Sequence, residues 1–241
     1  GLVTLGCPPA ALIENAAQLT AVMLRPVADA GALAGMLEDT RLNALCLGPG
    51  LGTDARAREI VLTAAGAGRA AVLDADALTG FAEAPETLFA ALHPGCVLTP
   101  HDGEFARLFP DIFAPLAEPA TAGPAVERVD AAIAAAARAG CTVLLKGPDT
   151  VIADETGRAG VHAAHYDQAV PWLATAGAGD VLSGLVAGLM ARGLAPFEAA
   201  AAGAWLHAET ARALGPGLIA EDLPEALPGV LARLIGPSKT G

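Results

Sequence analysis

The sequence predicts an α/β protein with a mostly parallel central sheet, helices on both of its faces and an all-helical C-terminal third. Three observations lead there. Short apolar runs alternate with longer helix-compatible segments, as in βαβ units. Most of those runs are too continuous to leave one face wet, which is the pattern of strands covered on both sides. After Asp180 the alternation stops and only helical segments remain.

Taken in order, the strand candidates are Leu2 to Leu5, Ala44 to Leu47, Ala70 to Leu73, Cys96 to Leu98 and Thr142 to Leu145. Between them Asp54 to Ala67, Pro85 to Leu92, Asp102 to Leu108 and Pro124 to Ala139 read as helices, with Thr53 a plausible cap for the first. The final third reads as helices Val181 to Ala191, Pro196 to Ala213 and Asp222 to Leu234, broken at Gly193, at Gly215-Pro216-Gly217 and at Pro237. No internal repeat and no long linker divides the chain, so residues 1–241 are expected to form a single domain. The opening Gly1-Leu2-Val3-Thr4-Leu5-Gly6 starts inside a strand, so the domain is read as N-terminally incomplete.

Composition narrows the function. Hydrophobic residues make up 54% of the chain and the mean hydropathy is +0.49. The excess is mostly alanine, and no run approaches the roughly 18 apolar residues of a spanning helix. The net charge of −12 argues against a nucleic-acid partner, which ordinarily leaves a basic footprint. Four widely spaced cysteines, Cys7, Cys46, Cys96 and Cys141, read as buried free thiols, not as zinc ligands or disulfides. With no visible signal peptide, they suit a cytoplasmic compartment. The Ala-rich helices after Val181 can pack a core or a second subunit equally well, so a homo-oligomer stays open.

In a parallel sheet, function gathers at the carboxyl ends of the strands. Four of the five strand candidates are followed at once by unusual residues: Gly48-Pro49-Gly50-Leu51-Gly52, Asp74-Ala75-Asp76, Thr99-Pro100-His101-Asp102-Gly103-Glu104 and Lys146-Gly147-Pro148-Asp149-Thr150. A fifth loop, Thr175-Ala176-Gly177-Ala178-Gly179-Asp180, runs straight into a helix. Glycines at 177 and 179 let a polyanion approach the main chain, and the free NH groups of the first helical turn point at it. Asp180 raises the electrostatic cost of such a site, which makes sense if the carboxylate does chemistry; otherwise it is only the helix N-cap. Lys146 is the only lysine outside the polar tail that carries Lys239, and an ammonium at a strand end beside glycine suits phosphate. His101 can donate to a phosphate or carboxamide, or bond a neighbouring carbonyl. Asp74 and Asp76 would share one face of an extended segment as magnesium or hydroxyl ligands, or Asp76 would cap a helix. No residue set predicts a protein-held metal site. His93, His162, His165 and His207 receive no role.

These motifs, in this order, resemble the ADP-dependent NAD(P)H-hydrate dehydratases of the ribokinase-like superfamily. The likeness rests on Gly48 to Gly52, Leu73-Asp74-Ala75-Asp76-Ala77-Leu78, Thr99 to Glu104, Leu145-Lys146-Gly147 with Thr150-Val151-Ile152, Trp172 to Gly184, and Gly217 to Pro224. It departs at Asp102, where the family usually has proline. The resemblance implies that Lys146, Gly147, Pro148, Asp149 and Thr150, together with Gly177 and Gly179, hold ADP or ATP. It also implies that Gly50 or Gly52, His101 and Asp180 meet the hydrated nicotinamide nucleotide. Asp180 would be the general base as the terminal phosphoryl moves to the hydrate's hydroxyl, with Mg2+ present. An epimerase partner, fused or separate, is implied as well.

Overall fold

The computed structural model describes residues 2–117 and 126–235. The start of the helix expected at Pro124, and the tail with Pro237 and Lys239, lie outside them. Two short parallel strands, β1 (Thr4–Cys7) and β2 (Met23–Pro26), form a small sheet with helices α1 (Leu12–Gln18) and α2 (Ala30–Met36). The main sheet has six strands: β3 (Ala44–Leu47), β4 (Ala70–Leu73), β5 (Cys96–Leu98), β6 (Thr142–Leu145), β7 (Asp149–Ala153) and β8 (Ala159–Ala163). They lie side by side in chain order, β3 to β6 parallel and β7 and β8 antiparallel. The first strand candidate therefore corrects one expectation: it pairs with β2 outside the main sheet. β7 and β8 were not expected as strands.

The remaining helices are α3 (Ala55–Ala65), α4 (Asp76–Thr79), α5 (Pro85–Phe89), α6 (Asp102–Leu108), α7 (Pro110–Ala117), α8 (Arg128–Ala139), α9 (Ala178–Ala191), α10 (Pro196–Leu214) and α11 (Asp222–Ile235). Asp54, not Thr53, caps α3, accepting from the Ala57 NH at 2.8 Å. Alternation along each strand builds two cores. Leu73, Leu98, Val143 and Leu145 pack on one face with Leu78, Phe105, Phe109 and the alanine face of α8. Val72, Val97, Leu144 and Ile152 point the other way, onto Leu182 and Val186 of α9 and Ala199, Ala200 and Ala204 of α10. Alanine lets α8 and α10 lie close to the sheet. This burial fixes the strand ends in one row, with the N-terminus of α9 across from them.

Of the cysteines, Cys7, Cys96 and Cys141 are buried as expected, whereas Cys46 on edge strand β3 is exposed. Among the described residues no helix is long and apolar enough to cross a membrane.

Candidate active site

β3 ends in Leu47, and the chain must turn at once to reach α3. It does so at Gly48, whose φ is +138° and whose added Cβ would lie 1.7 Å from the Asp74 carbonyl oxygen. Only glycine fits there. Gly50 and Gly52 also have positive φ but open space around them. The turn is fastened from the neighbouring strand end: the Gly52 NH donates to Asp76 Oδ2 at 2.9 Å. Asp76 opens α4 and so holds the glycine loop.

Asp74 takes the other direction. It is fully buried, and its Oδ1 accepts from the Ala75 NH at 2.9 Å and from Lys146 Nζ at 2.6 Å. Its Oδ2 is buried without a hydrogen-bond partner among the described residues. Lys146 leaves β6, where its NH donates to the Pro100 carbonyl at 2.8 Å. The ammonium stands 3.9 Å from Glu104 Oε2 and 3.3 Å from where a Cβ on Gly179 would be. A side chain at 179 would press on that ammonium, which explains the glycine.

His101 is the N-cap of α6. Its Nδ1 accepts from the Gly103 NH at 2.9 Å and the Glu104 NH at 3.3 Å, and Glu104 Oε2 accepts from the His101 NH at 2.9 Å. This reciprocal capping box locks the ring. With Nδ1 acting as acceptor, the neutral imidazole carries its proton on Nε2. The sequence suggests a donor to a phosphate, a carboxamide or a neighbouring carbonyl; the ring in addition accepts from two main-chain NH groups.

The helix entered from Trp172 begins earlier than expected. α9 starts at Ala178 after Gly177, whose left-handed φ of +82° makes the turn, and Gly177 offers no side-chain cap. Asp180 is thus inside the first turn of α9 and is not its N-cap, correcting that alternative. The first-turn NH groups of a long helix have no intrahelical acceptor, so they present a positive end beside Lys146. The Trp172 indole donates to the Ala211 carbonyl at 2.9 Å, holding the approach to this turn against α10. Asp180 is exposed, yet partial desolvation raises its carboxyl above the ordinary value. The charge of Asp74 raises it further, Lys146 opposes this, and Asp76 adds a smaller push.

The structure thus brings Gly52, Asp74, Asp76, His101, Glu104, Lys146, Gly179 and Asp180 into one connected group. Of the remaining residues expected to hold a nucleotide, Gly147 precedes the turn into β7, where the Thr150 hydroxyl donates to the Gly147 carbonyl at 2.9 Å. The Pro148 carbonyl accepts from the Ala164 NH at 2.9 Å. Asp149 sits 2.9 Å from His165 Nε2, a pair that the sequence reading did not foresee. His207 was also passed over: it is buried among α9, α10 and α11, lining a cavity of about 270 Å³. Burial pushes its imidazole down to about 4. Spacing along the chain carried no signal for either histidine. Among the described residues no cluster of three His, Cys, Asp or Glu side chains is placed to hold a metal ion.

A mostly parallel sheet flanked by helices, with a lysine and an aspartate beside a helix N-terminus, is the architecture of a ribokinase-like protein. Solved structures agree. A Bacillus subtilis ADP/ATP-dependent NAD(P)H-hydrate dehydratase, crystallised with ATP and Mg2+ and soaked with CoA, matches with a TM-score of 0.76 at 25% identity, over 97% of this chain and 81% of that one. A hydroxyethylthiazole kinase from Pyrococcus horikoshii, at 17% identity and a TM-score of 0.64 over 97% and 89%, shares the fold alone. A family model described as NAD(P)H-hydrate dehydratase matches residues 1–227, and the chain belongs to that family. The bifunctional NAD(P)H-hydrate repair enzyme Nnr of Mycobacterium tuberculosis H37Rv is 44% identical over 161 residues, 67% of this chain and 31% of that protein. Its namesake from Moorella thermoacetica is 37% identical over 248 residues, 97% of this chain and 44% of that protein. The chain therefore spans less than half the length of these relatives.

Proposed function

We propose that this chain dehydrates the hydrated forms of NADH and NADPH, using ADP or ATP as phosphoryl donor, and so acts as a carbon–oxygen lyase in metabolite repair. The observation that carries the proposal is the meeting of Asp180, Lys146 and the uncapped N-terminus of α9 at one point. Phosphate oxygens fit there: Gly177 and Gly179 leave the backbone bare, and the helix NH groups and the ammonium supply positive charge. Lys146 to Thr150 would hold the nucleotide with Gly177 and Gly179. Gly50, Gly52 and His101 would meet the hydrated nicotinamide nucleotide, His101 through the donor at Nε2. Mg2+ would be held chiefly by the nucleotide's own phosphates, since the described residues offer no cage for it; it would neutralise phosphate charge.

In the hydrate, hydroxide on the carbon beside the ring nitrogen is a poor leaving group. Asp180 takes the hydroxyl proton as the hydroxyl oxygen bonds to the terminal phosphorus and the donor's bridging P–O bond breaks. The ring nitrogen's lone pair then expels phosphate by breaking the C–O bond. Loss of a proton from the neighbouring ring carbon restores the reduced nicotinamide. The raised proton affinity of Asp180 suits a group that must accept a proton in the first step.

The test is absorbance at the reduced-nicotinamide band after mixing the protein with Mg2+, ADP and hydrated NADH. A nucleotide-dependent rise is expected. Nucleotide consumption without that rise would overturn the dehydratase reading in favour of a small-molecule kinase. An epimerase partner would widen the range of hydrate epimers used, which adding an epimerase to a stalled reaction would reveal.

A further inference from the structure

The arrangement holding the nucleotide loop in place extends beyond the residues so far given a role. Arg128 is the first residue of α8, and its guanidinium reaches across to two strand-end loops at once. One nitrogen donates to Asp102 Oδ1 at 2.7 Å, and another donates to the Lys146 carbonyl at 2.9 Å. The group lies close against Gly147: a Cβ there would come within 2.7 Å of Arg128 Nη2. Three-quarters of the Arg128 side chain is withdrawn from solvent, since its exposure is 24%, and its Nε is buried with no partner among the described residues. A surface ion pair would not need such a seat. The guanidinium is planar and can serve two acceptors in fixed directions, which lysine cannot do from a single ammonium.

We propose that Arg128 is a positioning residue for the nucleotide, aligning the Lys146–Gly147 main chain, and that Asp102 links this alignment to the loop carrying His101. The proposal rests on the nucleotide reading of Lys146 to Thr150. By accepting from Arg128, the Lys146 carbonyl is held on the Arg128 side, while the Lys146 ammonium stands beside Gly179 at the α9 N-terminus. Asp102 stands next to His101 in the first turn of α6, and the Lys146 NH is bonded to the Pro100 carbonyl in the same segment. The two loops are therefore joined by a main-chain bond on one side and by the Asp102–Arg128 bridge on the other. Ordering of one loop is transmitted to the other through these two links.

The experiment measures ADP affinity by calorimetry with Mg2+, together with steady-state kinetics, for wild type, Arg128→Ala, Arg128→Lys, Asp102→Asn and Gly147→Ala, and for two double variants. Arg128→Ala should weaken ADP binding about tenfold, the worth of a charged hydrogen bond that orients the site. Its kcat at saturating ADP should fall less than about threefold, because the bond is lost before chemistry begins. Arg128→Lys should recover part of the affinity. Asp102→Asn should weaken binding by roughly threefold, and should add nothing in the Arg128→Ala background. Gly147→Ala should impair ADP binding in wild type but not when Arg128 is alanine, since the clash is with the guanidinium. Thermal melts locate a temperature at which every variant is folded, so that lost stability is not read as lost affinity. Additive effects in both double variants, or unchanged ADP affinity in folded Arg128→Ala, would overturn the inference alone. A wild-type protein that binds neither ADP nor ATP would overturn the nucleotide reading and this inference with it.

Discussion

Replacing Asp74 by asparagine keeps the shape of the strand end and removes one charge from the most buried ion pair in the site. The Asp74 side chain is 1% exposed and the Lys146 side chain 18%, with 2.6 Å between Oδ1 and Nζ. Removing one partner of such a pair strands the other, at a cost of about 3–5 kcal/mol. Glu104 Oε2, 3.9 Å from the ammonium, remains as a weak substitute, which sets the expectation near the lower end, about 3 kcal/mol. In a chain of this size that is roughly 6–12 °C in Tm. Urea and thermal unfolding of the nucleotide-free protein at neutral pH measure it. A second readout ties the effect to the site: added ADP supplies the missing negative charge, so ADP should raise the Tm of Asp74→Asn by more than it raises that of wild type. The pH dependence gives a third. Asp74 is one of the charges that raise the Asp180 carboxyl, so its removal should move the acid limb of kcat/KM to lower pH. A variant within about 0.5 kcal/mol of wild type, the ordinary range for surface changes, would refute the reasoning, because it would mean that the ammonium does not depend on Asp74.

Asp180→Asn should reduce turnover by at least about a hundredfold while leaving ADP affinity within about threefold, as single-turnover assays and calorimetry would show. The same variant should be more stable than wild type at neutral pH. With a folded-state value above the unfolded one, the Asp180 carboxyl binds more protons in the folded protein, so its contribution falls as pH rises through that window; urea titrations at pH 4 and 7 test the sign. His207 works in the opposite direction. Its imidazole is pushed from 6.5 down to about 4, so the unfolded chain takes a proton that the folded one refuses, and stability is lost as pH falls from 6.5 toward 4. The loss should total about 3 kcal/mol and should be absent in His207→Leu, compared by unfolding at pH 7 and 4.5. Gly48→Ala should cost more than about 4 kcal/mol or prevent folding, whereas Gly50→Ala, with nothing within 4 Å, should cost only the left-handed strain of about 1–2 kcal/mol; circular dichroism melts separate the two.

The elements that could be read in advance are those whose local pattern has one structural answer. Val72-Leu73, Val97-Leu98 and Leu144-Leu145 are adjacent apolar pairs, and a strand can bury both members only when helices cover both of its faces. β8 was missed because Ala-Gly-Val-His-Ala is half exposed and offers no such run, and β7 because it opens on the polar pair Asp149 and Thr150. β1 was seen as a strand but put in the wrong sheet, since an apolar tetrapeptide does not specify its partner. At the candidate site, Lys146, His101 and Asp180 stand out in the sequence because strand ends and a glycine loop mark them. Their partners were not: Asp74 meets Lys146 across 72 positions, and Arg128 meets Asp102 across 26. Contacts of that kind leave no trace in spacing.

These partners give the excess of carboxylates, in a site proposed to take a polyanion, a physical explanation. Asp74 and Glu104 stand at one lysine, Asp180 feels the charges of Asp74, Lys146 and Asp76, and four free carboxylates would repel phosphate. Three of them are occupied. Asp76 accepts from the Gly52 NH, Glu104 from the His101 NH, and Asp74 from Lys146 and the Ala75 NH. Each thereby orders one of the loops at the site. Asp180 alone is exposed and has no side-chain hydrogen bond among the described residues, and the fixed charges of Asp74 and Asp76 both increase its affinity for a proton. The structural carboxylates thus do two things at once: they hold the loops in place, and they tune the one free carboxylate, which under the proposed function would act as the base. Neutralising Asp76 should then loosen the glycine loop and weaken Asp180 as a base together, whereas neutralising Asp180 should leave the loops intact.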